Sequence, residues 1–438
     1  MDSLQPWLDR QYAHAVPAML MSVSAVDIVK RRPGFGQTVR PARGSIVASP
    51  VLAAYDPDPD YFFHWYRDSA VVIDALRLLF EAGSVGPEAL THLQDFVGFS
   101  LALESADGRD LAAASDWRAA VAEDFQKFLR TEADLTAVHG DAVAADTRVN
   151  PDGTLDISSW ARPQHDGPAM RAVALLRWLR SASLDAALRD EVARLVRSDL
   201  AFAFSRWRES SFDIWEEEKG RHYYTLCVSA AALEEGAKWL HVLGEARQAR
   251  AYDDEAKEIR RELDQFWLGP EGYYRSRVLP DGARTTKELD IAVILAAVHA
   301  GSEADTHSVH DPRMQATLAR LEQLFDSAYP INRSRSREMG PAMGRYAGDV
   351  YYSGGAYYFS TLGAAEFCFR AAARSADTRS WMERGDAYLA TVRAYTPPSG
   401  DMSEQFDQRT GEQTSARHLA WSYACFISTV SARRAVAR

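Results

Sequence analysis

The sequence predicts an all-α fold in which six inner and six outer helices form a closed double ring. Apolar residues recur at helical spacing through nearly all of the 438 residues, and strand-like runs are short. The long segments alternate between two types: one is apolar on most sides, and the other carries a single apolar stripe. Short connections make consecutive helices antiparallel, which favours six helical hairpins closed into a ring.

Periodicity and capping residues predict twelve long helices. They cover residues 4–25, 66–82, 86–101, 167–181, 185–207, 222–243, 245–267, 286–299, 311–327, 354–373, 376–394 and 414–434. A thirteenth helix is predicted near 117–130, and the clearest strand-like run is Ser45 to Val47.

The fourth and fifth segments illustrate the alternation. The fourth is apolar on most sides from Ala169 to Leu179, as are the sixth, eighth, tenth and twelfth. The fifth has Leu188, Val192 and Leu195 on one side and arginines on another. A helix that is apolar all round is buried, whereas a helix with one apolar stripe lies at the surface. The even-numbered segments are therefore expected to form the inner ring.

Composition excludes several classes of protein. The chain is 47% hydrophobic with a formal charge of −11, which argues against a nucleic-acid or anionic-membrane partner and fits a neutral substrate. No apolar run approaches the ~20 residues that span a bilayer. The three cysteines, Cys227, Cys368 and Cys425, include no CxxC pair, so we expect buried free thiols and no metal site.

The N-terminal residues lack the basic and apolar regions of a signal peptide. We therefore expect a cytoplasmic protein as encoded, or a secreted or periplasmic one if a signal peptide has been removed. We expect the chain to be a monomer.

Six stretches rich in carboxylates, arginines and aromatic residues lie just before the even-numbered helices. They are residues 61–68, 159–168, 213–217, 287–290, 344–352 and 401–407. In an alternating ring, all loops from outer to inner helices emerge on the same face. The six stretches should therefore converge on one pit at one end of the ring.

The residue types in this pit suit a sugar. Sugar rings stack on Trp and Tyr, and their hydroxyls bond to rigid charged partners such as Arg and Asp. Glycoside hydrolysis needs two carboxyl groups across the scissile bond, and Glu216 and Glu404 are the candidates. Each feature also has a structural interpretation: the tryptophans could fill the core, Arg67 and Asp68 could form a local ion pair, and both glutamates could be solvated.

Five segments, in this order along the chain, resemble the active-site segments of glycoside hydrolase family 15, the glucoamylases, and most closely the fungal type of catalytic domain. The last of them, SEQFDQRTGEQTSARHLAWSYA, is the most specific. The segments are residues 44–50 with 59–69, 158–172, 212–225, 344–355 and 403–424. The resemblance covers almost the whole chain and implies an (α/α)6 barrel, a single catalytic domain over residues 1–438, an inverting mechanism and no cofactor.

Carried over residue by residue, the resemblance implies that Glu216 is the general acid and Glu404 the general base. Arg67 and Asp68 match the clamp on the non-reducing-end glucose, and Arg345 also bonds that sugar. The further residues implied to bind substrate or support the two glutamates are Tyr61, Trp65, Trp160, Asp213, Trp215, Glu217, Tyr351, Tyr357, Gln405 and Ser415.

The chain departs from the fungal pattern where the leaving sugars bind. Ser353 stands in place of an Asn and Tyr357 in place of a Trp. A starch-binding module is not expected, so the predicted substrate is a short soluble α-glucan or gluco-oligosaccharide. We expect an exo-acting, inverting α-glucosidase with α-1,4 specificity. The alternatives are an α-1,6-specific member acting on isomaltose or dextran, a non-catalytic carbohydrate-binding toroid and a helical-repeat scaffold.

Overall fold

A computed structural model of the protein describes residues 4–54, 58–114 and 117–437. The α-helices of these residues are α1 (Leu4–Leu20), α2 (Tyr66–Glu81), α3 (Glu88–Leu103), α4 (Gly108–Ala113), α5 (Glu132–Thr136), α6 (Asp166–Ser181), α7 (Ala186–Arg206), α8 (Tyr223–Val242), α9 (Ala246–Asp264), α10 (Ala292–Ala300), α11 (Pro312–Ala328), α12 (Pro330–Arg333), α13 (Tyr358–Ala372), α14 (Thr378–Tyr395) and α15 (Ala420–Val436). Short 3-10 helices cover Pro33–Phe35, Glu123–Phe128 and Gly140–Ala145.

The strands are two to four residues long and pair locally. They are β1 (Lys30–Arg32), β2 (Gln37–Val39), β3 (His64–Trp65), β4 (Arg148–Val149), β5 (Ser211–Phe212), β6 (Lys219–His222), β7 (Trp267–Leu268), β8 (Tyr273–Tyr274), β9 (Arg277–Val278), β10 (Ala356–Tyr357), β11 (Gln405–Phe406) and β12 (Gln413–Thr414). All pairs are antiparallel: β1 with β2, β3 with β4, β5 with β6 with β9, β7 with β8, and β10 with β11 with β12.

Six helices form the inner ring. In order around it, α2, α6, α8, α10, α13 and α15 each pack against the next, and α15 packs back against α2. These helices are buried on most sides, as the nearly continuous burial from Tyr358 to Phe369 in α13 shows. A helix needs apolar residues all round to occupy such a position. The predicted ring of six inner helices is confirmed.

The outer helices cover this ring with one apolar stripe each. In α9 the buried residues are Ala249, Tyr252, Ala256, Ile259 and Leu263, which recur every three or four positions and face α8. In the same way α3 packs on α2, α7 on α6, α11 on α10, α14 on α13, and α1 on α15. The predicted double ring of inner and outer helices is therefore confirmed, and its first outer helix lies on its last inner one.

Three inner helices begin later than the pattern predicts. The eighth predicted helix starts at Ala292, because the Asp290 carboxylate accepts a hydrogen bond from the Ala292 amide, 2.8 Å away. The tenth starts at Tyr358, because the preceding residues form β10, which pairs with β11. The twelfth starts at Ala420, because strand β12 and then a turn with positive φ at Ser415 and His418 precede it. The helical apolar pattern therefore continues into a strand before α13, and into a strand and a turn before α15.

Two further predictions are wrong. Residues 117–130 contain only the 3-10 helix Glu123–Phe128 and no long helix. Ser45 to Val47 is not a strand: Ile46 forms one isolated bridge with Val23. The three cysteines are buried and free, as expected. In the described part of the chain, no helix is both long and apolar enough to cross a membrane.

The short strands hold the loops that enter the inner ring. Strand β3 leads directly into α2, β6 into α8 and β10 into α13. Each is paired to another loop at the same end, so the entry points are cross-linked by backbone hydrogen bonds. This end of the ring, where the inner helices begin, carries the candidate site.

Candidate active site

A cavity of about 220 Å³ lies where the inner helices begin. The predicted site residues that line it are Tyr61, Trp65, Arg67, Asp68, Trp160, Trp215, Glu216, Glu217, Arg345, Tyr351 and Glu404. They come from five of the six predicted stretches, and these five converge as expected for an alternating ring. The sixth stretch, residues 287–290, contributes no lining residue. Sequence reasoning did not single out the other lining residues: Ala48, Ile214, Phe359, Leu419 and Trp421.

Glu216 is surrounded by N–H donors. Its carboxylate accepts hydrogen bonds from the indoles of Trp65, at 2.8 Å, and Trp160, and from Arg67 Nη2 at 3.2 Å. Its backbone has a φ of 65°, a left-handed conformation that is uncommon for residues other than glycine. The Asp213 carboxylate stabilises this turn by accepting from the amides of Glu217 and Glu218, both at 2.8 Å.

Glu404 is surrounded by hydroxyl groups instead. Ser415 Oγ donates to its carboxylate, and Tyr61 OH lies 3.2 Å from Oε1. The Glu404 amide donates to the Ala416 carbonyl at 2.8 Å, beside the β11–β12 pair, and this places Ser415 next to the carboxylate. Burial of the carboxyl group raises the pKa of Glu404 to about 7.

Arg67 connects three carboxylates at the start of α2 and α6. Its Nη2 lies 3.1 Å from Asp68 and 3.2 Å from Glu216, and its Nη1 lies 3.6 Å from Asp166. Burial raises the pKa of Asp68 and of Asp166 to about 6. The Asp68 Oδ2 atom is the one beside Arg67, and no other described residue donates to it, so this lining carboxylate can still accept a hydrogen bond from a ligand. Sequence reasoning did not single out Asp166.

Arg345 is fixed on another part of the wall. Its Nε and Nη2 atoms form a bidentate pair with Asp349, at 2.7 and 2.6 Å, and Nη2 also lies 2.9 Å from Glu217. Lys287 Nζ donates to the same Glu217 at 2.8 Å. The guanidinium therefore has little freedom to move. Lys287 lies in one of the six predicted stretches, but its contact with Glu217 had no sequence signal.

Aromatic rings form a continuous stack along the cavity. Trp215 stacks on Phe359 with centroids 6.0 Å apart, and Phe359 stacks on Trp421 at 4.4 Å and 8°. Trp160 is 40% exposed, and Arg148 lies 3.6 Å over its ring. Trp421 falls within the most specific predicted segment, so its position in the sequence was the signal that could have identified it.

Four predicted site residues do not line the cavity: Asp213, Tyr357, Gln405 and Ser415. Asp213 and Ser415 act on the backbone turn and on Glu404, as described above. Tyr357 is 1% exposed, receives a hydrogen bond from Gln405 at 2.8 Å and donates to Asp349 at 3.3 Å. We expected Tyr357 to face the leaving sugars. The structure instead places its ring behind Arg345.

The arrangement has the elements that cleave a glycosidic bond. Two carboxyl groups in different hydrogen-bonding environments share one cavity with exposed aromatic surface and fixed arginines. Among the described residues, no group of three or more His, Cys, Asp or Glu side chains is arranged to hold a metal ion. The fold and the site together define the class of a glycoside hydrolase.

Comparison with known families identifies the family of glycoside hydrolases to which the chain belongs. The family model described as "Glycosyl hydrolases family 15" matches residues 34–383 and 379–431. The chain therefore belongs to this family and is a glycoside hydrolase of the glucoamylase type.

Relatives and solved structures agree with the family. A "Probable glucoamylase" of Schizosaccharomyces pombe is 27% identical over 476 residues, which cover 99% of this chain and 93% of the relative. A "Glucoamylase, intracellular sporulation-specific" of Saccharomyces cerevisiae is 27% identical over 468 residues, or 90% and 79% of the two chains. The solved glucoamylase of Saccharomycopsis fibuligera shares the fold with a TM-score of 0.78 at 19% identity, covering 100% and 96% of the two chains.

Proposed function

We propose that the protein is an exo-acting, inverting α-glucosidase that releases glucose from the non-reducing ends of α-1,4-linked gluco-oligosaccharides. Glu216 acts as general acid and Glu404 as general base. The observation that carries the proposal is the shared cavity, in which one carboxylate is held by N–H donors and the other by hydroxyls. A non-catalytic sugar-binding toroid would need neither carboxylate.

The reaction uses the two carboxyl groups in one concerted displacement. The Glu216 carboxyl group donates its proton to the glycosidic oxygen while the bond between that oxygen and the anomeric carbon breaks. A water molecule attacks the anomeric carbon from the opposite face, and Glu404 accepts its proton. The products are β-glucose and the shortened glucan. For this water to fit, the two carboxyl groups should lie ~6.5–9.5 Å apart, which stays a prediction.

The remaining lining residues hold the first sugar. Arg67 and Asp68 clamp the hydroxyls of the non-reducing-end glucose, and Arg345 bonds the same ring. Trp160, which is partly exposed and donates to Glu216, provides the surface on which the second sugar stacks. A cavity of about 220 Å³ is smaller than the ~300–1,000 Å³ typical of sites for drug-sized ligands, which supports cleavage of one terminal sugar at a time.

Short soluble α-glucans are the proposed substrates, and the proposal treats residues 1–438 as one catalytic domain. Inner helices from α2 to α15 are all needed to close the ring around the site, which supports this domain assignment. We also propose that the chain acts as a monomer, either in the cytoplasm or, if a signal peptide has been removed, as a secreted or periplasmic protein. Gel filtration and fractionation of cells would test these two points.

The experiment that tests the function is product analysis on maltose, isomaltose and panose. We expect glucose from maltose, and from panose and isomaltose more slowly. NMR in the first minutes should show β-glucose before mutarotation mixes the anomers. Initial α-glucose would overturn the inverting mechanism, and a preference for isomaltose would overturn the α-1,4 assignment. The Glu216→Gln variant controls for contaminating activity.

A further inference from the structure

A second cavity lies on the side of the barrel, between α3, α6, α7 and the 3-10 helix Gly140–Ala145. Its volume is about 480 Å³, within the range of small-molecule sites. It shares no lining residue with the catalytic cavity. Tyr66 lines it, between Trp65 and Arg67 in sequence, so the two cavities lie on opposite sides of one turn.

The inner part of this side cavity carries polar side-chain atoms that lack hydrogen-bond partners among the described residues. Tyr66 Oη, Ser100 Oγ and Arg171 Nη1 form no hydrogen bond with any described residue, although their residues are only 3%, 1% and 3% exposed. Buried polar groups are normally paired, because leaving them unpaired costs free energy. Glu104 Oε1, on another lining residue, is unpaired as well. Four unpaired polar atoms on one cavity are what a site for a polar ligand requires.

The charge in the cavity is already balanced. Arg171 Nε and Nη2 lie 2.9 and 2.7 Å from the two carboxylate oxygens of Asp199, which also lines the cavity. Glu104 and Asp141, the other charged lining residues, lie 3.3 Å from Arg194 and 2.8 Å from Arg206. Each charged lining residue therefore already has an ion-pair partner, and no unpaired cation is left to attract an anion. What remains is one N–H donor, two hydroxyls that can donate or accept, and the Glu104 Oε1 acceptor.

The other walls are apolar. Leu103, Val143 and Phe202 line the cavity beside the polar groups. A ligand that fits must therefore be uncharged, carry both donors and acceptors, and present an apolar face. We propose that the side cavity is a second binding site for a neutral monosaccharide or polyol of hexose size. Its hydroxyls pair with Tyr66, Ser100 and Arg171.

The mouth of the side cavity gives a way to close it without touching the catalytic residues. Ser198, Ala201 and Ser205 of α7 are exposed and line the opening, and they are small enough to leave it free. Ala201→Trp should fill the entrance. Ala187→Trp is the matched control, because Ala187 is exposed on the same helix and does not line the cavity. Thermal unfolding and maltose turnover establish that both variants are folded.

The test uses glucose as the probe, in equilibrium dialysis and in crystals soaked with the sugar. Wild type and Ala187→Trp should bind one glucose more per chain than Ala201→Trp. The additional density should lie beside Tyr66, Ser100 and Arg171. Ser100→Ala should weaken this additional binding by roughly 2- to 10-fold, since it removes one neutral hydrogen bond.

Equal binding by wild type and Ala201→Trp would overturn the second site. This comparison does not depend on the proposed function. If the catalytic cavity failed to hold glucose, both proteins would bind one molecule fewer, but the difference between them would remain.

Discussion

The surroundings of Glu216 and Glu404 differ in the chemistry of their donors. Glu216 receives two indole N–H groups and a guanidinium, which itself contacts Asp68 and Asp166. Glu404 receives hydroxyls from Ser415 and Tyr61 and has no arginine at ion-pair distance among the described residues. The first carboxylate belongs to a network of charges, whereas the second lies in a buried, mostly neutral environment.

This difference indicates which carboxyl group sets the lower pH limit of the enzyme. A base works only as a carboxylate, and burial raises the pKa of Glu404 to about 7. An ionised base that works with a protonated acid gives a bell-shaped profile with an acidic to near-neutral optimum. The structure favours the near-neutral end of that range, because the base becomes available only as the pH rises towards 7.

The largest effect should come from removing either carboxyl group. Glu216→Gln and Glu404→Gln should each lower kcat on maltose by ~10²–10⁴-fold, because each removes acid or base assistance. α-Glucosyl fluoride separates the two roles, since fluoride leaves without a proton from the enzyme. Glu216→Gln should regain most of its activity on the fluoride, whereas Glu404→Gln should not. The reverse pattern would exchange the two assignments.

The next effect concerns pH. Below about pH 7, kcat/KM of the wild-type enzyme on maltose should fall close to tenfold per pH unit, as Glu404 becomes protonated. The measurement is a profile of kcat/KM from pH 4 to pH 9, with protein stability checked at each end. A plateau that extends unchanged down to pH 5 would show that Glu404 is not the group that must lose a proton.

A smaller effect should come from Ser415. Its hydroxyl donates to Glu404 and so favours the ionised form. Ser415→Ala should raise the pKa of Glu404 further and move the acid limb of the kcat/KM profile upward by on the order of one pH unit. Ser353→Ala is a suitable control, because Ser353 donates to Gln405 rather than to Glu404. An unshifted limb in Ser415→Ala would argue against the hydroxyl as a tuning group.

A substitution of Tyr357, which lies on the Glu404 side of the site, should have the smallest effect on catalysis and leave substrate specificity unchanged. The residue is buried behind Arg345, so Tyr357→Trp should overpack the site and lower the free energy of unfolding by ~1–3 kcal/mol. The ratio of kcat/KM between maltose and isomaltose should stay the same. Chemical denaturation and the two kinetic assays measure these quantities. A changed ratio would mean that Tyr357 reaches the second sugar after all.

Much of the architecture could be predicted because long helices carry long periodic signals. The alternation of all-round apolar and striped segments predicted the inner and outer layers, and the loops before inner helices converge as expected. The starts of α10, α13 and α15 could not be predicted. The start of α10 is set by the local Asp290 cap, which apolar periodicity does not record. The start of α13 is set by the pairing of β10 with β11, which is a contact between segments distant in sequence, and α15 starts after a turn at Ser415 and His418.

The site shows the same limit. Residue type and position predicted most of the lining residues, but they did not predict the direction in which each side chain points. Tyr357 and Phe359 both stand at the start of α13, yet only Phe359 lines the cavity. Asp166 lies inside a predicted stretch, and only the fold shows that Arg67 is beside it. Side-chain direction at a helix start depends on packing that periodicity does not record.

The contact between α2 and α15 has a consequence for how the protein is made. The first inner helix meets the last, so the ring can close only when nearly the whole chain has left the ribosome. A nascent chain that already contains Glu216 still lacks Glu404 and Trp421. Until α15 is made, the apolar side of α2 that packs against it stays exposed to solvent. Such an open arc is prone to aggregation, and closing it requires contacts of long sequence separation, which form slowly. Synthesis in cells should therefore depend on chaperones more strongly than the helical content alone would suggest.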